Sequence, residues 1–204
     1  MNDSTKISTA MVLTFWFGDT ALDHAVAATL RQRWFRGGSA FDEAIRRRFA
    51  HTVAAALTTG LPHWQENLEG RLALILLCDQ FTRNIFRGSA RAFAGDQTAL
   101  ATCQALISTE DLSELGLHQR AFVGMPLEHT ESSDIQARSV AYFEQLRADF
   151  QGHPESQLAQ NYYHYAVQHR DVINTFGRFP HRNHALGRKS TTEEQRWLDA
   201  GGGF

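Results

Sequence analysis

The sequence predicts an all-α fold, a single-domain array or bundle of eight to nine helices packed antiparallel to their neighbours. Three observations carry that prediction. Phe41, Ile45, Phe49, Val53 and Leu57 form an uninterrupted i,i+4 apolar stripe, the pattern of a helix buried along one face. Glycines and prolines divide the chain into helix-length segments with mostly short connections, which favour antiparallel neighbours. Alternation of apolar and polar residues, the mark of a half-buried strand, is nearly absent.

The elements follow in order. A first short helix spans about Ile7 to Trp16 and ends at Gly18. A second runs from Asp23, which can cap it, to Phe35, with Gly37 and Gly38 stopping it. The striped helix covers Ser39 to Thr59 and is closed by Gly60 and Pro62. The fourth, Leu68 to Phe81, is apolar on all sides from Leu72 to Cys78, so it is a central helix packed by neighbours. Its extension on both sides and its lack of β-branched residues other than Ile75 favour helix over buried strand. A helix from Ser89 to Ile107 follows, then a short one from Leu117 to Val123 that stops before Pro126. Ser133 and Gln136 have the spacing of a capping box for a helix to Phe150. Glu155 to Phe176 is the next, closed by Gly177. After a loop from Arg178 to Lys189, Thr191 and Glu194 form a second capping box before a last short helix. All of this reads as one domain over 1–204 with an ordered core from about 7 to 199, and Gly201 to Phe204 read as a frayed end.

Composition excludes several classes. The chain has 204 residues, 43% apolar and 21% charged, which suits one substantial core and argues against disorder. A bilayer span needs about 20 apolar residues, and no run approaches that. Twenty Lys plus Arg against 22 Asp plus Glu leave a formal charge of −2, which disfavours a nucleic-acid binder. Cys78 and Cys103 have no close spacing, so neither a disulfide framework nor a zinc signature is present, and Cys78 reads as an inert core thiol. Met1 to Ser8 lacks the pattern of a signal peptide, so the expected location is cytoplasmic.

Four features hold the polar chemistry. Asp79 lies on the stripe of the central helix through Leu68, Leu72, Ile75 and Leu76, where a carboxylate needs a partner. Arg83 is one turn on, and Arg87 offers a second guanidinium. The group is either an internal ion pair that positions the segment from Phe81 to Gly88, or a pocket acid or base, or the orienter of an arginine that grips an anion. His169 lies on the apolar face of its helix with Leu158, Tyr162, Tyr165, Ala166, Ile173 and Phe176, whereas His164 falls on the wetter face. His129 and Glu131 project to one side if their segment is extended, as two metal ligands, as a histidine oriented by a carboxylate, or as helix-entry hydrogen-bonding groups. His169 or His181 would be needed to complete a metal site, and no spacing demands one, so no metal or other cofactor is expected. Finally, Arg178, His181, Arg182 and Asn183 are displayed on a loop stiffened by Gly177 and Pro180. This is the best anion-binding candidate, and its arginines can equally tie the loop to the acidic stretch near Glu131. No serine-hydrolase elbow, zinc-helix motif, Walker sequence or dinucleotide fingerprint occurs.

Val12 to Gly18, the Trp34–Phe35 pair, Asp79 to Gly88, Met125 to Glu131 and Gly177 to Asn183 together resemble the bacterial DUF924 family of uncharacterised proteins, over about residues 10 to 199. The resemblance implies a fold similar to tetratricopeptide-like helical proteins and names no substrate. It marks Asp79, Arg83, Asn84, Arg87, His129, Glu131, His169, Arg178, His181, Arg182 and Asn183 as the polar positions of interest. The family pattern has Pro where this chain has Thr82, which loosens the turn expected after the central helix. It has Ser where this chain has Thr130, which keeps a hydroxyl.

Two functions compete. One is a pocket for a small anionic ligand, a carboxylate or phosphate, acting as a metal-independent hydrolase or proton-transfer enzyme. There Asp79, His129, Glu131 and His169 do the chemistry, while Arg83, Asn84, Arg87, Arg178, His181, Arg182 and Asn183 bind. The other is a helical scaffold for a peptide or partner protein, with aromatics such as Trp16, Trp34 or Trp64 in an exposed groove and the polar clusters as braces. Two donor-rich loops, two histidines and a core-facing acid are more than a scaffold needs.

Overall fold

The computed structural model describes residues 7–18, 26–113 and 115–204, and among them there are helices and turns with no strand. The helices are α1 (Thr9–Phe17), α2 (Ala28–Arg36), α3 (Gly38–Thr59), α4 (Leu68–Ile75), α5 (Thr82–Ile85), α6 (Asp96–Thr109), α7 (Leu117–Glu128), α8 (Ser133–Asp149), α9 (Ser156–Phe176) and α10 (Thr192–Asp199). The all-helical expectation holds. Asp23, expected to cap the second helix, lies outside the described residues. None of these helices is long and apolar enough to cross a membrane.

Leu72 to Cys78 are fully buried, as their unbroken apolar run requires. Each large side chain there contributes about 1.5–3 kcal/mol by leaving water. Around this centre α4 packs against α1, α6 and α7, and α7, α8 and α9 pack in succession. Trp16, Trp34, Phe41, Phe81 and Phe122 share one aromatic cluster. The indole N–H of Trp34 donates to the Trp16 carbonyl at 3.1 Å, which ties α2 to α1. Val172, Ile173 and Phe179 form a second, small core under the loop that follows α9.

Four details differ from the sequence reading. The fourth helix does not stop at Phe81. It widens into a π-helical turn over Leu76–Phe81 and resumes as α5, with the Thr82 hydroxyl donating to the Cys78 carbonyl at 2.7 Å. The segment read as one helix from Ser89 is a 3₁₀ turn over Ala90–Phe93 followed by α6. The break falls at Gly95, whose backbone presses on the Cys78 carbonyl so closely that any Cβ would collide with it.

Pro126 lies inside α7 rather than beyond its end. Its missing N–H costs an isolated helix about 3 kcal/mol. Here the continued helix buries Leu127 and Glu128, and a neighbouring side chain secures its last carbonyls. That side chain is Gln136, which forms no capping box with Ser133. Fully buried, its amide donates to the carbonyls of Leu127, Glu128 and Thr130. The second capping box, Thr191 with Glu194, forms as expected.

Candidate functional site

Asp79 is carried on the π-helical turn, His129 caps the C-terminus of α7, and His169 points inward from α9. The three meet where those elements converge. Asp79 Oδ1 lies 2.7 Å from His129 Nδ1, and the His129 and His169 rings are 6.0 Å apart. Arg83 Nη1 stands 3.1 Å from Asp79 Oδ1 and 2.9 Å from Asp96 Oδ1. Arg182 approaches the same Asp96 at 3.4 Å and lies over the rings of Phe93 and Phe179. Gln80 donates to the other Asp79 oxygen at 2.6 Å. The result is a connected chain of polar groups, His129–Asp79–Arg83–Asp96–Arg182, drawn from four separate stretches of sequence.

Burial by itself would raise the Asp79 carboxyl, but the Arg83 charge, the His129 ring and the Gln80 amide outweigh it and hold the group well below the usual carboxylate range. An ionised Asp79 accepts, so His129 Nδ1 carries the proton and Nε2 keeps its lone pair. Burial pushes His129 below the ordinary histidine value against the pull of Asp79. His169 is driven down to about 3, chiefly by burial. Its Nδ1 donates to the Tyr165 carbonyl at 2.8 Å, which again leaves Nε2 as the basic nitrogen. Glu128 is pushed well above its ordinary value by burial and by the nearby Asp79, and its Oε1 has no hydrogen-bond partner. Two donors are likewise buried and unpartnered, Arg83 Nη2 and Arg182 Nε.

Phe204 stacks on His169 with ring centres 3.7 Å apart and meets Phe179 and His181 edge-on. The stretch expected to fray therefore covers one side of the site. His181 bridges from this aromatic group to an open cleft of about 440 Å³, lined also by Pro180, His184, Arg188, Ser190, Gln195 and Leu198. Desolvation by its neighbours, and then the Arg182 charge, push the His181 ring below its ordinary value even though the residue is exposed.

The model of the family described as "Bacterial protein of unknown function (DUF924)" matches residues 12–202. The chain belongs to this family. A solved structure, the protein of unknown function ATU0120 from Agrobacterium tumefaciens, is 32% identical and superposes with a TM-score of 0.77 over 94% of this chain and 97% of that one. No curated protein matches.

In this DUF924 chain the eleven polar positions divide into four groups. Asp79, Arg83, His129, His169 and Arg182 come together, with His181 at their edge. Asn84 and Arg87 do not join them: both bind Asp42 on α3, at 2.7 Å each, and so fasten α5 to its neighbour. Arg178 and Asn183 are also elsewhere, bonded to Glu194 at the start of α10.

Glu131 parts from His129, because α7 remains helical through Glu128 and His129 is not extended but near α (φ −80°, ψ −2°). It accepts from Arg188 at 2.7 Å and from the Phe179 N–H at 2.8 Å, so the basic loop is indeed tied to the acidic stretch. Arg87 does not reach Asp79, and Tyr165 is 54% exposed rather than on the buried face. His164 is exposed, as its face predicts.

Two participants were not singled out from sequence, Asp96 and Glu128. Gly95 followed by an acid is a helix-start signal that would have placed Asp96 in a first turn. Glu128 offered only its adjacency to His129. Trp16, Trp34 and Trp64 are 1%, 9% and 4% exposed, so none of them lines an open groove.

Proposed function

We propose that this site binds a small carboxylate or phosphate compound and moves a proton on it, by proton transfer or by water-mediated hydrolysis. The observation that carries the reading is the pair of buried, unpartnered guanidinium donors, Arg83 Nη2 and Arg182 Nε, beside a histidine oriented by Asp79. Guanidinium groups suit planar oxyanions, which accept two parallel hydrogen bonds. His129 is the proton-transfer group: Asp79 fixes its tautomer, and burial, which lowers its proton affinity, keeps it neutral with Nε2 free to accept a proton. Its side chain is still 17% exposed, against 1% for Asp79, so it is the member of the pair that a ligand reaches.

Covalent catalysis by Cys78 is disfavoured, since burial first and then Asp79 push its thiol up to about 12. A peptide-binding scaffold has less support, because the aromatics it would use are in the core. Two free, buried cysteines fit a reducing compartment such as the cytoplasm. The test is to follow melting of chelator-treated protein against inorganic phosphate and a panel of mono- and dicarboxylates, with calorimetric titration of any hit. Saturable binding that Arg182→Lys weakens supports the reading, and no binding at millimolar anion sinks it.

A further inference from the structure

We infer that Glu128, His129 and His169 form a binding site for a divalent first-row transition-metal ion. One nitrogen from each ring and one Glu128 oxygen lie within 4.8 Å of one another. Two histidines and one carboxylate are a donor set that zinc and ferrous iron both accept, with positions left for water or substrate.

Three independent features of the surroundings point the same way. Histidines that hold metals donate their other ring N–H to a carboxylate or a backbone carbonyl, which fixes the tautomer and aims the lone pair. Here His129 Nδ1 is bound to Asp79 at 2.7 Å and His169 Nδ1 to the Tyr165 carbonyl at 2.8 Å, one of each kind. Glu128 Oε1 is buried without a hydrogen-bond partner, and His169 Nδ1, 4.0 Å from Oε2, is too far away to bond the carboxyl. A buried carboxyl left unanswered is costly, and a cation between it and the two rings would answer it. The neighbouring cations Arg83 and Arg182 are themselves paired with Asp79 and Asp96, so they do not leave the site with an uncompensated positive field. The donors differ from the sequence-level pair of His129 and Glu131, since Glu131 is engaged by Arg188.

The inference deepens the proposed function and rests on it for the use of the ion. With the ion in place the His129 lone pair is taken up in coordination, and an ion-bound water, made more acidic by the charge, takes over proton transfer next to the arginine donors.

The test needs no substrate. Chelator-treated protein is titrated with Co²⁺ and with Zn²⁺, and the Zn²⁺ form is measured by X-ray absorption. One equivalent of Co²⁺ should bind and give visible d–d bands that Zn²⁺ abolishes. The zinc shell should contain two imidazoles and oxygen at about 2.0–2.2 Å, with no sulfur. Glu128→Gln should lower affinity by at least about 100-fold, more than the roughly 10–100-fold lost when only a partner behind a ligand is removed.

Absence of stoichiometric binding would overturn the site. So would a single imidazole in the wild-type zinc shell, a result independent of whether any variant folds, or loss of the Co²⁺ bands in Glu131→Gln but not in Glu128→Gln. Anion titrations of the chelator-treated protein separate the two readings. Anion binding without Co²⁺ binding refutes the metal and spares the anion site, and Co²⁺ binding without anion binding does the reverse.

Discussion

Asp79 Oδ1 and His129 Nδ1 are 2.7 Å apart across 50 positions of sequence, and their bond joins the π-helical turn after α4 to the last turn of α7. It has two physical consequences. It helps to answer a carboxylate that the central helix carries into the core, and it sets which nitrogen of His129 is available for chemistry. The first bears on stability and the second on function, and they separate experimentally.

Asp79→Asn should cost about 3–5 kcal/mol, the range for removing one partner of a buried ion pair. Urea denaturation at pH 7 measures it. The folded carboxyl titrates below its unfolded value of about 3.9, so its contribution is complete above that pH and fades as pH falls through the folded value. The wild-type advantage over Asp79→Asn should therefore shrink only on the acid side of pH 4. A difference that is constant from pH 7 down to pH 2 would contradict the assignment.

His118 gives a second pH window. Burial, and then the Arg31 charge, depress it to about 4, against about 6.5 for a free histidine. A depressed histidine is neutral when folded and takes up a proton on unfolding, so its stability is present above about 6.5 and drains away down to its folded value. The ring accepts or donates one bond at Nδ1, to the Tyr162 hydroxyl at 2.8 Å. Relative to wild type, His118→Gln should show a flatter loss of stability between pH 6.5 and 4. Parallel curves would mean that His118 is not the group titrating there.

Gly95→Ala should destabilise the fold by about 1–3 kcal/mol or more, the usual range for forcing extra volume into a packed site, because the new Cβ meets the Cys78 backbone. It should also weaken anion binding, since Asp96 next door holds both Arg83 and Arg182. Gly152→Ala is the contrasting case: its Cβ meets nothing, and only its positive φ of 80° opposes the change. Thermal melts and phosphate titrations of the two variants check both effects, and equal anion affinity in Gly95→Ala would detach Asp96 from the site.

Arg182→Lys and Arg87→Lys separate site from brace. Arg182 contributes an unpartnered buried donor, whereas Arg87 is 64% exposed at its side chain and grips Asp42. The first substitution should weaken phosphate or carboxylate binding about tenfold or more, because lysine cannot reproduce a planar guanidinium contact. The second should leave binding unchanged but cost about 1–3 kcal/mol of stability, because lysine cannot keep the two-point contact to the buried Asp42. Calorimetric titration decides between them, and a similar loss in both variants would make the proposed division wrong.

Much of the fold was legible because helix formation leaves a periodic trace. The stripe on α3, the all-round burial of Leu72 to Cys78, the closure of α9 at Gly177 and the capping box at Thr191 are each local patterns with one physical solution. Local pattern failed where a distant group supplied the missing term. Pro126 stays in a helix because burial and Gln136 support the turn after it, and neither is visible from the residues next to it. The helix break at Gly95 goes with its close packing on the Cys78 backbone, which lies 17 positions earlier in the chain.

The sequence by itself determined that this is a helical chain whose central element ends on a carboxylate needing an answer, and it named the residue types able to answer. Only the tertiary structure decided which ones do. Arg83 and His129 reach Asp79, Arg87 goes to Asp42, Arg178 to Glu194 and Glu131 to Arg188. Charge pairing is indifferent to sequence distance and strict about a few ångströms of space. Five guanidinium groups of the same chemistry thus separate into site and brace only when the helices that carry them are packed.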